Sequence, residues 1–417
     1  MTALLALVLL ACLAVGFSRL EEELWGTRRT PFAFVAYPFL VVLALSALVG
    51  PALGYRELSV PALGTVGLLF ALLATASVAL HAVRPAAAPA APVGPAPLPA
   101  PAPPPAQEPE TGPAPPPDER RIPAWEYLLV AALMAVLFVP ELLSGVAVEK
   151  GGLGVGTYRS HLVQLGMAYL LLAAAQSGGA VLPRLLLAVL VLWMLAFNQV
   201  KYLIFLPLAG ALLFRWASGR LSTWTIAVIS VSVPVVILLV VYVFFGAAAG
   251  RETFQLSPGV VLEMARRTVS YLLSGVTGLT LLLRDFDLDA FGTEGLSYAF
   301  GPAVNVFRFA TGNPDYVTFV NPLYLHIDTR GSTSNVFTLF GSFLYRGGWS
   351  AAVTWCLAYA VVCYLVWDGW RRRRNALDAA AGSWWLAPLL FAWFDPFFVN
   401  LSIWEVTVIL WLRARLP

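Results

Sequence analysis

The composition of the sequence and its pattern of hydrophobic residues both predict an all-α, polytopic membrane protein. Of the 417 residues, 59% are hydrophobic and only 12% are charged, whereas an average soluble domain carries about 25% charged residues. Several runs are apolar on every face over the roughly 20 residues that a helix needs to cross a bilayer. The strict alternation that a transmembrane barrel requires is absent from these runs. A soluble globular domain is therefore excluded.

Apolar runs predict about eleven transmembrane helices and one large outer loop that contains short helices. The run from 334 to 366 is too long for one perpendicular helix, so its second half is expected to be the membrane part. Residues 268–283 are apolar but short and rich in Ser, Thr and Gly, which favours an interfacial or re-entrant helix in the outer loop. The predicted spans are residues 2–18, 31–50, 59–83, 124–143, 160–177, 184–199, 201–216, 223–249, 334–366, 383–399 and 400–414.

The spans divide the chain into five regions. A linker rich in Ala and Pro separates two groups of helices, and 15 of the chain's 31 prolines lie within residues 85–117. Such a composition forms neither helix nor sheet, so we expect a disordered cytoplasmic spacer, with partner binding as the alternative. The regions are residues 1–84 (N-terminal helices), 85–122 (linker), 123–249 (central helices), 250–333 (outer loop) and 334–417 (C-terminal helices).

Arginine placement predicts the orientation. Cytoplasmic loops of membrane proteins carry an excess of Lys and Arg. With the N-terminus outside and the C-terminus in the cytoplasm, the short outer loops keep only Arg56, Lys150, Arg159 and Lys201. The cytoplasmic connections then collect Arg19, Arg28, Arg29, Arg84, Arg120, Arg121, Arg184, Arg215, Arg220, Arg371 to Arg374, Arg413 and Arg415.

The outer loop is the expected site of chemistry, because reactive groups usually lie on loops held by a rigid scaffold. Its six Arg are outnumbered by eight acids, so single arginines, rather than a basic patch, are the candidates for binding a diphosphate. Arg159 and Arg251 adjoin spans and are expected near lipid headgroups. Of the adjacent Arg266 and Arg267, helical geometry lets at most one face a site, and we favour Arg267. Membrane anchors or ion pairs are the alternative roles.

Residues 324–330 combine a histidine, an acid and a cation. If this segment is extended, Tyr324, His326, Asp328 and Arg330 lie on one side. Such a set can supply a general base and a cation that stabilises a leaving group. His326 and Asp328 are therefore the candidate catalytic residues, and a structural hydrogen-bonding role for His326 is the alternative.

No metal, cofactor or nucleic acid is predicted. The acidic stretch 285–289 has Ala290 and Leu296 where a calcium-binding EF-hand loop needs Gly and Glu. The three cysteines, Cys12, Cys356 and Cys363, lie in apolar segments without metal-ligand spacing. Only two of the 26 basic residues are Lys, so the chain has no lysine-rich arm for nucleic acid.

One motif lies at the start of the ninth predicted span. Residues 331–340 read GSTSNVFTLF, and residues 345–349 read YRGGW. The motif resembles that of the Wzy-type oligosaccharide repeat-unit polymerases, also called O-antigen polymerases, in which a Thr-Asn-aromatic/aliphatic-Thr stretch leads into a span and an aromatic-x-Gly segment follows. Ser334 stands where that family usually has Thr, and Arg346 where an acidic residue is common. The layout, with one large outer loop before the last three spans, is also similar.

The resemblance implies a metal-independent glycosyltransferase of the bacterial inner membrane. It would polymerise oligosaccharide repeat units linked to polyprenyl (undecaprenyl) diphosphate at the outer face, as part of cell-envelope polysaccharide biosynthesis. Its implied partners are that lipid-linked oligosaccharide, the bilayer, and a chain-length regulator or other assembly proteins. The residues expected to bind diphosphate or glycan are then Arg159, Arg251, Arg267, Arg330, Asn335 and Arg346.

Three alternatives remain at this stage. A ligase-like enzyme would use the same donor with a lipid A core acceptor. A transporter or flippase would show internal repeats and polar residues at the membrane midplane, which the sequence lacks. A scaffold for polysaccharide assembly would use the Pro-rich linker to recruit a partner.

Overall fold

The computed structural model describes residues 2–83, 122–143, 158–176, 180–197, 201–217, 258–288, 294–318, 320–372 and 376–415. Most of the predicted linker, the predicted span 223–249 and Arg251 lie outside these residues. The described part of the chain is all-α apart from one small hairpin, which agrees with the predicted fold class.

Thirteen α-helices are present in the described ranges. They are α1 (Thr2–Trp25), α2 (Pro31–Leu48), α3 (Val60–Val83), α4 (Ala124–Leu143), α5 (Tyr158–Ala175), α6 (Val181–Phe197), α7 (Lys201–Ala217), α8 (Pro258–Asp285), α9 (Gly295–Ala299), α10 (Gly301–Ala310), α11 (Thr338–Arg372), α12 (Ala376–Leu386) and α13 (Leu401–Arg413). Two short strands, β1 (Leu325–His326) and β2 (Thr333–Ser334), form the hairpin. Short 3₁₀ segments occupy Pro51–Leu53, Ala387–Phe391 and Phe397–Val399.

Four helices are long and apolar enough to cross a membrane, by length and composition. They are Ala3–Trp25, Pro31–Leu48, Val60–Val83 and Thr338–Arg372. Local sequence sets where α2 begins. Pro31 occupies the first turn of α2, where its missing N–H costs nothing, and the Thr30 hydroxyl accepts a hydrogen bond from the Ala33 N–H. The count of eleven spans remains an expectation.

Two predicted spans differ from the structure in a way that glycine and proline explain. Helix α11 is interrupted at Gly348, where φ is 72° and ψ is −172°, a conformation open essentially to glycine alone. The predicted span 383–399 is not one helix, because α12 ends at Leu386 and two 3₁₀ segments follow it. Pro388 and Pro396 each lack the N–H that a continuing α-helix requires.

Helix α8 differs from the short outer helix predicted for residues 268–283. It is continuous over 28 residues, and residues 273–282 are all buried. Its glycines admit other backbone segments, since a Cβ on Gly275 would meet the Trp393 carbonyl and one on Gly278 the Val336 carbonyl. The small residues that suggested an interfacial helix thus serve close packing against two loops.

The two ends of the helical bundle separate the residues that the arginine distribution assigns to opposite sides. At one end, the Trp367 indole N–H donates to the Arg29 carbonyl at 2.9 Å and Arg371 donates to the Trp25 carbonyl at 3.0 Å. At the other end, Tyr55 forms a backbone bridge with Asp328. Groups predicted to be cytoplasmic therefore share one end, and groups predicted to be outside share the other.

Candidate functional site

The candidate site is built on residues 324–334, here called the outer hairpin. In it, β1 and β2 pair antiparallel, with Leu325 opposite Ser334 and His326 opposite Thr333. Residues 54–56 add a third segment, because the Arg56 N–H donates to the Ile327 carbonyl at 3.2 Å and the Thr329 N–H donates to the Gly54 carbonyl at 3.0 Å. The hairpin is thereby held against the loop that joins α2 to α3.

Asp328 closes the turn of the outer hairpin. Its carboxylate accepts hydrogen bonds from the Arg330 N–H at 2.9 Å and the Ser332 N–H at 2.8 Å, and the side chain is buried. Burial alone raises the pKa of this carboxyl, but the hydrogen bonds from Ser332 and Arg330 outweigh that effect and hold the pKa below its usual range. The Asp328 carboxylate thus shapes the turn and is held in its charged form.

The predicted alternation holds over the first half of residues 324–330 and then ends. Tyr324 and His326 are exposed and Leu325 is buried, as an extended strand requires. Asp328 departs from the pattern because the chain turns there, whereas Arg330 is again exposed. The outer hairpin therefore presents His326 and Arg330 to the surroundings, with Asp328 held inside.

Arg346, a predicted substrate-binding residue, joins both ends of the outer-loop segment 294–321. Its guanidinium donates to Glu294 Oε2 at 2.9 Å, to Asn321 Oδ1 at 3.3 Å, and to the carbonyls of Thr318 at 3.2 Å and Val320 at 2.9 Å. The residue is 8% exposed. These hydrogen bonds tie both ends of the loop segment to α11.

Asn335, another predicted substrate-binding residue, is paired with Asn321. The Asn335 amide donates to the Asn321 carbonyl at 2.9 Å, and the Asn321 amide donates to the Asn335 carbonyl at 3.1 Å. Asn321 also donates to the Ser342 hydroxyl at 3.2 Å, which donates to Asp395 Oδ1 at 3.1 Å. Sequence reasoning missed Asn321, Ser342 and Asp395 as partners, because no spacing in the sequence indicates contacts between such distant segments.

Thr338, in the motif that resembles the polymerases, carries backbone strain. Its φ is 69°, a value that is a genuine outlier for a β-branched residue. Hydrogen bonds from the Thr338 N–H to the Phe394 carbonyl at 3.0 Å and from the Leu339 N–H to the Ala392 carbonyl at 2.7 Å hold this conformation. Strain of this kind persists where the surroundings impose it, and it clusters at functional sites.

For two of the other predicted arginines, the structure describes the helix position but not the side chain. Arg159 lies in the first turn of α5 and Arg267 lies within α8, but their side chains are outside the described residues. His161, in the first turns of α5, faces α13, with its Nδ1 2.7 Å from Glu405 Oε1. The outer hairpin carries His326, Asp328 and Arg330, and Asn335 and Arg346 belong to a hydrogen-bond network with Asn321.

The exposed groups of the outer hairpin set its chemistry. An imidazole can accept or donate a proton, and a guanidinium can bind two oxygens of a phosphate. Among the described residues, no group of three or more His, Cys, Asp or Glu is placed to hold a metal ion. The arrangement thus suits anion binding coupled to proton transfer.

Comparison with known proteins identifies the family. The profile of DUF6337, a family of unknown function, matches residues 150–416, which is more than half of the chain and includes the outer hairpin and α11. No curated protein and no solved structure matches the chain. The chain belongs to DUF6337.

Proposed function

We propose that this member of DUF6337 is a membrane glycosyltransferase that polymerises polyprenyl-diphosphate-linked oligosaccharide repeat units at the outer face of the bacterial inner membrane. The observation that carries the proposal is the outer hairpin, in which His326 and Arg330 are exposed and Asp328 holds the turn. The resemblance of residues 331–340 to the Wzy-type polymerases supports the same activity.

The proposed reaction needs a base and a cation but no metal. His326 takes the proton of the acceptor hydroxyl while that oxygen bonds to the anomeric carbon of the donor glycan. The bond from that carbon to the diphosphate oxygen breaks, and the carrier diphosphate leaves with its electron pair. Arg330, together with Arg159, Arg251 and Arg267, stabilises the negative charge on the leaving group.

Asn335 and Arg346 have a supporting role in this proposal. Both are predicted substrate-binding residues, and both are bonded to Asn321. Asn321 also bonds to Ser342 in α11, so this network holds the loop beside the outer hairpin. We assign the direct contacts with diphosphate to Arg330, Arg159, Arg251 and Arg267, and the positioning of the loop to Asn335 and Arg346.

The test uses purified full-length protein in nanodiscs with a polyprenyl-diphosphate-linked repeat unit. The expected products are longer glycans and free polyprenyl diphosphate. His326→Gln should lower the rate by about 10²- to 10⁴-fold because a general base is lost. Arg330→Ala should lower it by about 10²-fold or more because a stabilising charge is lost.

Arg28→Ala is the matched control, since Arg28 is also an exposed arginine but lies at the opposite end of the bundle, paired with Glu22. Its rate should equal that of the unaltered protein. Transfer to a lipid A core acceptor, without chain extension, would favour a ligase. Absence of any product from several repeat units would overturn the proposal in favour of transport or scaffolding.

A further inference from the structure

The outer-loop segment 294–321 leaves the end of the bundle and runs along the side of α11. At its start, a Cβ added to Gly295 would meet the Cα of Gly347 at 3.3 Å, so the two backbones touch. At the end of α9, the Ala299 carbonyl accepts a hydrogen bond from the Tyr359 hydroxyl at 3.2 Å. Phe300 then packs perpendicular to Trp355, with ring centroids 5.2 Å apart. The chain therefore advances along α11 from Gly347 toward Tyr359.

These contacts show how far along α11 the junction of α9 and α10 lies. Trp355 lies about two helical turns beyond Gly348 and Tyr359 about three, which is about 10 Å and 16 Å along the helix axis. Side chains of a helix lean toward its N-terminus, so the Tyr359 hydroxyl lies about one turn nearer Gly348 than its own Cα. Helix α11 is long and apolar enough to cross a membrane. The junction of α9 and α10 thus lies beside its apolar part.

Helix α10 exposes an apolar stripe. Ala303, Val306, Phe307 and Ala310 are all exposed, and their spacing places them on one face of the helix. The two largest of these side chains belong to Val306, which is 56% exposed, and Phe307, which is 68% exposed. Phe309, beside this stripe, is 66% exposed. A helix that faces water carries polar residues on its exposed side, so this pattern is inverted.

The opposite side of α10 is occupied by the protein itself. The Asn305 amide donates to the Val317 carbonyl at 2.8 Å and accepts from the Val317 N–H at 2.7 Å. Arg308 donates to the Asp315 carbonyl. The polar side chains of α10 thus bond to the returning backbone of residues 315–317, and the apolar ones point away from it.

We infer that α10 lies in the outer leaflet of the bilayer, with its apolar stripe in contact with the lipid acyl chains. Three observations support lipid as the occupant: the inverted pattern of α10, the internal bonding of its polar groups, and its attachment beside the apolar part of α11. Interfacial helices bury their apolar face about 5–10 Å into the boundary between headgroups and acyl chains, and α10 would do so beside the apolar part of α11. The inference does not depend on the proposed glycosyltransferase activity.

The test measures the depth of α10 in the full-length protein, reconstituted in nanodiscs of phosphatidylethanolamine and phosphatidylglycerol. Single nitroxide labels are placed by Ala303→Cys, Val306→Cys, Phe307→Cys and Ala310→Cys. The background carries Cys12→Ala, because Cys12 is the exposed native cysteine and Cys356 and Cys363 are buried. Collision rates are compared for oxygen, which concentrates in the acyl region, and for a nickel chelate, which stays in water. Tyr324→Cys in the outer hairpin is the matched exposed control.

The four α10 labels should show oxygen-to-nickel collision ratios several-fold above that of the label at Tyr324. A ratio at Phe307 equal to that at Tyr324 would place the stripe in water and overturn the inference. Low collision rates with both reagents would mean that protein, such as a second copy of the chain, covers the stripe, and would also overturn it. Monodispersity on size-exclusion chromatography checks that each labelled variant is folded.

Discussion

At the scale of single residues, the structure separates two classes that look alike in the sequence. Arg330 and Arg346 are both arginines of the outer region, yet Arg330 is exposed and Arg346 is buried with several protein acceptors. His326 and Asp328 lie only two residues apart, but His326 is exposed, whereas Asp328 is buried and closes a turn. Residue type and spacing indicated chemistry, and burial decides which groups can reach a substrate.

Arg346→Met tests the clamp on the segment 294–321. The substitution leaves Glu294, Asn321 and two backbone carbonyls without their donor. We expect the free energy of unfolding to fall by about 2–3 kcal/mol, because hydrogen bonds from a charged group are lost and the buried Asn321 amide oxygen loses a donor. Thermal unfolding of the purified protein, calibrated by denaturant titration, measures the change.

Arg330→Met is the matched control, because it removes an exposed guanidinium from the same region. We expect it to change stability by less than about 0.5 kcal/mol. Equal stability of the Arg346 variant and the unaltered protein would contradict the clamp and return Arg346 to the candidate substrate-binding residues.

At the scale of elements, α11 shows how one residue divides a long apolar run. The run is predicted to contain one membrane helix in its second half, and the break at Gly348 separates a buried first part from a longer second part. Gly347 and Gly295 make the close contact from which α9 starts. The interruption therefore creates the place where the outer loop attaches to the helix.

Gly348→Ala should destabilise this junction. The side chain would have to adopt a φ of 72° with a ψ of −172°, which costs on the order of 1–3 kcal/mol. Hydrogen exchange of α9 and the first part of α11, measured by mass spectrometry, should increase. The midpoint of thermal unfolding should fall.

Gly369→Ala is the internal control, since Gly369 lies in the same helix with nothing within 4 Å of an added Cβ. It should leave stability unchanged or raise it by about 0.5–1 kcal/mol, because Ala favours the helix. If both variants behave alike, the unusual backbone at Gly348 carries no cost and the explanation of the break is wrong.

At the scale of the whole molecule, polar contacts join the C-terminal helix α13 to the central helices α4 and α5. Arg413 at the end of α13 bonds Glu126 in the first turn of α4 at 3.0 Å and 2.8 Å, and Tyr169 of α5 donates to the same carboxylate at 2.7 Å. At the opposite end, His161 of α5 meets Glu405 of α13. The C-terminal helix is thus tied to the central helices at both of its ends.

Arg413→Ala should destabilise the protein by about 3 kcal/mol, because it leaves a largely buried Glu126 carboxylate without its partner. The double variant Glu126→Gln, Arg413→Met should recover part of that loss, since no charge remains unpaired. Thermal unfolding in nanodiscs measures both.

Arg415→Ala provides the comparison, because Arg415 is half-exposed and 3.8 Å from Asp378. Its cost should stay below about 1 kcal/mol, as for other exposed ion pairs. Equal losses for the two arginine variants would show that burial of the Glu126 pair does not set its contribution.

Apolar runs by themselves determined the all-α class and the bounds of most described helices to within a few residues. These properties depend on local composition, since a long apolar run is stable in a bilayer only as a helix. The local alternation also agrees with the exposed Tyr324 and His326 and the buried Leu325, and it ends where the chain turns at Asp328. Each of these features depends on residues that are close together in the chain.

Only the tertiary structure decided the hydrogen-bond partners of Asp328, Asn335 and Arg346, the close packing of α8, and the attachment of α10 to the side of α11. The physical reason is that each depends on groups distant in sequence, such as the pairing of Arg346 with Glu294 and Asn321. A guanidinium can donate hydrogen bonds to a diphosphate, a carboxylate or a carbonyl. Its partner is set by which backbone the fold brings within hydrogen-bonding distance.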